Sequence, residues 1–179
     1  PVTYVHGPKP IKNDSQYISL QPIAFYTDDP KRKTAGRLEF IKGWKMTSAN
    51  PDLGGVSSML VSKDNQGANR FFMLSDAGVL IGFTLDEQSN KALRPFIAPL
   101  PDGPPKENKF AKKNWDAESL VHDPKTGQYW VGYEIYHGVW RYGRSFARKE
   151  AALPIPAMQK WPRNGGAEAM LRLSDGRFL

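Results

Sequence analysis

Three segments of this sequence repeat one pattern, in which a small or acidic residue, a small residue and a polar residue precede an apolar strand. They are residues 55–60, 116–121 and 166–171. The polar position falls at Ser57, Glu118 and Glu168, which gives periods of 61 and 50 residues. Repeats of about 40–60 residues built from several short strands are typical of propeller blades, since one small sheet cannot bury both of its faces alone. The pattern predicts an all-β fold of short antiparallel blades around an axis.

Each copy then continues through a turn to an aromatic-rich strand. The turns contain Gly67, Gly127 and Gly176, and the strands that follow are residues 70–74, 129–133 and 177–179. Two copies run on into a further strand, at residues 79–83 and 139–142. Chance likeness between the hairpins of a β-sandwich is the rival explanation, but the offset shared by three copies favours a propeller.

The repeats predict a single domain over residues 1–179, with residues 1–35 as an irregular N-terminal segment that leads into the first blade. A proline-rich stretch at 99–113 indicates a long exposed loop, and only 146–152 has a helical composition. The third copy stops as its second strand begins. Because an open ring exposes apolar faces and unpaired edges, we expect this chain to be roughly half of a propeller, truncated at its C-terminal side.

The charge balance and the missing cysteines narrow the classes of partner. A net charge of +7, from 25 basic and 18 acidic residues, favours anionic partners. The tight basic clusters, residues 31–33 and 112–113, are not interleaved with aromatic residues, so nucleic acid is not expected. Without cysteine there is no disulfide, thiolate nucleophile or Cys-based zinc site. No apolar run approaches the roughly 20 residues of a membrane helix.

The second copy and its flanks resemble a known family. Taken together, these stretches are similar to the phytase-like family of bacterial exported proteins, which is described as having esterase-like activity. The resemblance implies a periplasmic or secreted protein. The stretches are residues 43–44, 54–55, 116–120, 129–134, 139–142 and 161–169.

More distantly, the spacing is similar to that of β-propeller phytases, in which a DDEG turn precedes a strand that ends in paired acids. In those enzymes carboxylates around the axial opening hold calcium ions that bind phosphate and activate water. Carried over by position, Glu118 matches the turn acid, Glu134 the strand-end acid and Glu168 the acid of the next blade.

Three departures from that pattern reduce the number of carboxylates. Ala117 stands where the turn has a second acid, Ser119 replaces glycine, and Gly166 stands where those phytases have another carboxylate. The departures weigh against a multi-calcium cluster and favour a site for one oxygen-liganded ion, which we expect to be Ca²⁺.

The resemblance and the repeat positions together give a set of candidate site residues. We expect Asp116, Glu118, Glu134 and Glu168 as metal ligands, with Glu118 and Glu168 also as catalytic residues. The rival interpretation is structural, because acids at blade turns commonly cap backbone amides and pair with lysine or arginine. Arg141 and Arg163 follow the acidic motifs and are candidates for binding an anionic substrate group.

Two classes of function remain open at the level of sequence. The first is a metal-assisted hydrolase of an anionic small-molecule ester or phosphate. The second is a non-catalytic propeller that binds a protein or a ligand, as a structural subunit of a periplasmic or membrane-associated assembly.

Overall fold

The computed structural model describes residues 17–103, 116–162 and 165–179 of the chain. Within these ranges the chain forms short β-strands and a single-turn 3₁₀ helix at Met158–Lys160. No helix in these ranges is long and apolar enough to cross a bilayer. The strands are β1 (Ser19–Pro22), β2 (Thr34–Ala35), β3 (Leu38–Glu39), β4 (Trp44–Thr47), β5 (Val56–Lys63), β6 (Asn69–Ser75), β7 (Val79–Asp86), β8 (Lys91–Pro99), β9 (Ala117–His122), β10 (Tyr129–Tyr133), β11 (Gly138–Tyr142) and β12 (Lys149–Pro154).

Two sequence repeats become two four-stranded antiparallel blades. Blade A has the strand order β5-β6-β7-β8, and blade B has the order β9-β10-β11-β12. The third repeat forms a hairpin in which the Leu171 N–H donates to the Leu179 carbonyl at 3.0 Å and the Leu173 N–H donates to Arg177 at 2.8 Å. Upstream of blade A, β1 pairs with β4, and β2 pairs with β3 in a small hairpin. The predicted all-β partial propeller is confirmed.

Alternation along the strands buries both faces of each blade. In β6, Met73 packs towards Ile18 of the β1–β4 unit, whereas the next residue, Leu74, packs towards blade B. In β11, Val139 packs towards the third repeat, whereas the next residue, Trp140, packs towards blade A. Successive side chains of a strand point to opposite faces of its sheet. Both neighbours can therefore be buried only when another layer packs on each face.

The fourth strand of each blade lies where sequence patterning did not predict a strand. Residues 146–152, which have a helical composition, instead enter β12, whose Ala152 pairs with Trp140 of β11. Likewise β8 extends from Lys91 to Pro99 despite Pro95 within it. Both strands are edge strands, where irregular composition is tolerated because only one side needs a hydrogen-bonded neighbour.

Two further expectations fall partly beyond the described residues. The predicted long loop, residues 99–113, begins where β8 ends, and its residues 104–113 lie outside the described ranges. The same holds for residues 1–16 of the predicted irregular N-terminal segment, which the structure describes from residue 17 onwards.

We predict that Gly132→Ala destabilises the protein because Gly132 lies in the contact between blade B and the third repeat. A Cβ atom there would lie 2.3 Å from Ser119 Oγ and 2.6 Å from Ala167 Cβ. Such overpacking costs about 1–3 kcal/mol, to be measured as a lower urea midpoint. Gly54→Ala is the matched control, because no atom lies within 4 Å of its added Cβ. Equal midpoints for the two variants would contradict the described stacking.

Candidate functional site

A β-bulge at the start of each inner strand presents the repeated polar position. In blade B, Gly132 pairs with Ser119 and Tyr133 pairs with Ala117, so Glu118 is the extra residue of β9. In blade A the register shifts between Val56 and Ser58, which makes Ser57 the extra residue of β5. A bulge turns its extra residue out of the regular strand alternation. The two template positions are therefore equivalent in structure as well as in sequence.

The end of the second strand in each blade is tied to the start of the first strand. The Glu134 N–H donates to the Asp116 carbonyl at 2.8 Å, and the Asp76 N–H donates to the Gly55 carbonyl at the same distance. This bond places the strand-end acid of blade B, Glu134, beside Asp116 at the start of β9.

Carboxylate oxygens of Asp116, Glu118 and Glu134 all lie within 4.8 Å of one another. Glu134 is buried, with 7% of its surface exposed, whereas Asp116 and Glu118 are half-buried. Glu168 of the third repeat is exposed, and its carboxyl group acts electrostatically on Glu134 and Glu118. The structure thus brings Asp116, Glu118 and Glu134 together, with Glu168 close enough to interact with two of them, and we call these four residues the acid cluster.

Close packing of the third repeat explains how Glu168 reaches this cluster. A Cβ atom on Gly166 would lie 2.3 Å from the Cα atom and 2.6 Å from the carbonyl oxygen of Glu134. Only a residue without a side chain permits such an approach of two backbones. The glycine that replaces an acid of the phytase pattern therefore allows the next acid to approach Glu134.

Burial and mutual repulsion raise the pKa values of Glu118 and Glu134. Burial raises the pKa of Glu134 to about 7, and the carboxyl groups of Glu168 and Asp116 act in the same direction. The pKa of Glu118 is also raised, first by burial and then by Asp116 and Glu168, against a hydrogen bond from the Ser57 hydroxyl. Each group is harder to ionise because its neighbours carry the same charge.

No lysine or arginine within the described ranges forms an ion pair with an acid of this cluster. Other acids of the chain do cap backbone amides and pair with arginine, as acids at turns commonly do. Asp64 accepts hydrogen bonds from the amides of Gln66 and Ala68 and pairs with Arg94 at 3.1 Å, and its pKa is lowered, chiefly by the Gln66 amide. The contrast separates the acid cluster from ordinary turn-capping acids.

The two arginines expected from the sequence are not seen at the acid cluster. Arg141 Nε lies 3.3 Å from Glu150 in β12, and its guanidinium lies 5.7 Å from the Trp130 ring centre. Arg163 lies outside the described residues. Their roles in substrate binding stay predictions.

Two residues next to the cluster were not singled out as site residues from the sequence. Ser57 lies at the bulge of blade A, its hydroxyl donates to the Gly55 carbonyl at 3.4 Å, and it acts to lower the pKa of Glu118 against the stronger effect of burial. Asp76 follows β6 as Glu134 follows β10, and its carbonyl accepts the Ala117 N–H at 3.2 Å. Asp76 could have been found as an acid that directly follows an aromatic-rich strand. Its equivalence to Glu134 was not recognised because the loops of the two blades differ in length.

The donor set suits a hard divalent cation. All four side chains offer carboxylate oxygens, which Ca²⁺ and Mg²⁺ prefer, and neither sulfur nor imidazole is among them. A bound cation would neutralise the repulsion between these carboxyl groups, which the fold holds close together. Main-chain carbonyls and water would supply the remaining ligands of a calcium ion.

Comparison with known proteins identified one family. A family model described as phytase-like, with the esterase-like activity of phytase, matches residues 51–179. This match includes blade A, blade B, the acid cluster and the third repeat. No curated protein and no solved structure matches the chain significantly.

We predict that the cation-free protein loses stability as the pH rises from about 5 to about 8. The folded state retains the Glu134 proton up to about pH 7, while the unfolded chain releases it in the ordinary glutamate range. Folding therefore binds a proton between these limits, and raising the pH penalises the folded state. Urea unfolding in chelator across this window measures the effect.

Glu134→Gln should flatten that profile, because the amide does not titrate, whereas the exposed Glu39→Gln control should retain it. Stability that rises between these two pH values in the cation-free wild type would contradict the assignment.

Proposed function

Since this chain belongs to the phytase-like family, we propose that it is a calcium-dependent hydrolase of phosphate or other esters. One observation carries the proposal: the carboxylates of Asp116, Glu118 and Glu134 meet within 4.8 Å. The absence of a cationic partner for them within the described ranges supports it.

Burial orders the acids by depth and suggests a division of labour. Glu134 is buried, so it would hold the ion at the base of the site together with the half-buried Asp116 and Glu118. Glu168 is exposed, so it would face the substrate, and we propose that Glu118 contacts both ion and substrate. When bound, the ion supplies positive charge that polarises a phosphoryl or acyl oxygen and acidifies water.

Hydrolysis needs a base for the attacking water and a proton for the departing alcohol oxygen. We assign Glu168, the exposed carboxylate, to accept the proton from water. We assign Glu118, which is half-buried beside Asp116 and Glu134, to donate one. The bond between the phosphoryl or acyl centre and the alcohol oxygen breaks, and water supplies the new oxygen.

An anionic substrate group would need a cationic partner beside these acids. Arg163 lies three residues before Gly166 in the sequence, and a Cβ on Gly166 would meet the Glu134 backbone. Arg141 would have to leave Glu150 to take part. We therefore propose Arg163 as the first candidate and Arg141 as the second.

The second candidate function is a non-catalytic propeller that binds a protein or a ligand. It is favoured by Ala117, which is fully buried, and by Gly166, which packs on the Glu134 backbone. At both positions the phytase pattern has a carboxylate, and here neither position offers room for one. A single ion in such a site would stabilise the blades without turnover.

Export to the periplasm or the medium is part of the same proposal, because the resemblance is to exported bacterial proteins. Immunoblotting of cell fractions from the native host with an antibody to this chain would test it. Detection only in the cytosolic fraction would argue against export.

We expect Ca²⁺ to stabilise the wild type by about 5–10 °C in Tm at a hundredfold excess over Kd, because only the folded chain assembles the acid cluster. The gain should be larger at about pH 8 than at about pH 5, since the ion displaces the Glu134 proton. Glu134→Gln should remove most of the gain, and Glu39→Gln should retain it. Differential scanning calorimetry with Ca²⁺ or with chelator measures both.

Hydrolysis of p-nitrophenyl phosphate and p-nitrophenyl acetate separates the two candidate functions. A hydrolase requires Ca²⁺-dependent turnover that falls about 100-fold or more in Glu118→Gln and Glu168→Gln. Calcium binding without turnover of either ester would support the non-catalytic propeller. Indifference of both stability and turnover to chelator would refute the ion site itself.

A further inference from the structure

The segment between β1 and β4 leaves the sheet as a closed excursion. Pro22 pairs with Trp44, and the Ile23 N–H donates to the Gly43 carbonyl at 3.0 Å, so the two ends of residues 23–43 meet. The excursion contains the β2–β3 hairpin, which is paired only with itself. No residue of 23–43 belongs to a buried cluster of the described chain. Its apolar side chains are therefore not part of the propeller core.

Several large apolar side chains of this excursion face solvent. Leu38 is 75% exposed and Ile41 is 74% exposed, and Ile23 and Phe25 are nearly half exposed. The ring of Phe25 stacks on Phe40 with centroids 5.2 Å apart, which holds this part of the excursion together. Single exposed apolar residues are common on proteins, but several on one protruding segment indicate a binding surface.

The excursion that carries these apolar side chains is also rich in basic residues. The excursion contains five basic residues against three acidic ones. Among the basic residues, Arg32 lies 4.2 Å from the Tyr26 ring centre, beside the Phe25 stack, and Arg37 directly precedes Leu38. Lys42 pairs with Glu87 at 2.5 Å on blade A. The basic side chains of residues 31–33 and 37 thus lie along the same segment as the exposed apolar ones.

We propose that residues 23–43 dock this protein on a bilayer rich in anionic lipid, independently of any catalysis at the acid cluster. Leu38 and Ile41 enter the boundary between headgroups and acyl chains, while residues 31–33 and Arg37 meet lipid phosphates. Apolar side chains framed by lysine and arginine are the composition that such interfaces select. Binding to a nucleic acid would account for the positive charge but not for the exposed apolar side chains of Leu38 and Ile41.

Co-sedimentation of the full chain with vesicles tests the proposal. We expect binding to vesicles of equal phosphatidylcholine and phosphatidylglycerol, little binding to phosphatidylcholine alone, and weakening by salt. The double variant Leu38→Asp/Ile41→Asp should lower the partition coefficient about tenfold or more. Neutralising residues 31–33 with glutamine should lower it about fivefold per charge.

The control variant carries Leu93→Asp and Leu171→Asp, which change two exposed leucines outside the excursion. Circular dichroism first establishes that each variant is folded. The control should bind as the wild type does. Equal binding by Leu38→Asp/Ile41→Asp, or no preference for anionic vesicles, would overturn the proposal and leave an acidic protein surface as the partner to seek.

Discussion

A blade of four short strands has two apolar faces, and only another layer on each side can bury them. In blade A this requirement is visible in adjacent residues, since Met73 packs towards β1 and Leu74 towards blade B. Stacking then brings the inner ends of successive blades into contact, where space is limited. Ala117 is fully buried there, and a Cβ on Gly166 would overlap the Glu134 backbone. The meeting of the acids is thus a consequence of how the blades pack.

That packing holds carboxyl groups together against their own repulsion. The charge of an isolated turn acid is stabilised by nearby groups, as that of Asp64 is by two backbone amides and Arg94. Glu134 has no such relief within the described chain, and its pKa rises to about 7. The folding free energy of the blades offsets the cost of the cluster, a pattern more typical of ligand sites than of structural turns.

The strands that sequence patterning identified are the ones with regular alternation or aromatic content, including β5, β6, β7, β10 and β11. The outer strands β8 and β12 were not predicted because they contain Pro95 and the charged pair Lys149 and Glu150. They form strands because pairing with β7 and β11 outweighs their low local propensity. Position within the repeat identified Glu118 and Glu168 for the same reason that it identified the blades, whereas Glu134 was expected from the resemblance to β-propeller phytases. Asp76 was not identified from the sequence, because its equivalence to Glu134 depends on a backbone hydrogen bond to Gly55 rather than on a fixed spacing.

The sequence by itself determined the repeat, the β-strand character and which acids occupy equivalent positions, because these follow from local periodicity and turn chemistry. Only the tertiary structure decided that acids of two repeats interact, that Ser57 of blade A acts on Glu118 of blade B, and that Arg141 pairs with Glu150. Contacts of that kind depend on the distance between stacked layers and on which glycine permits close approach. No pattern within one strand encodes that distance.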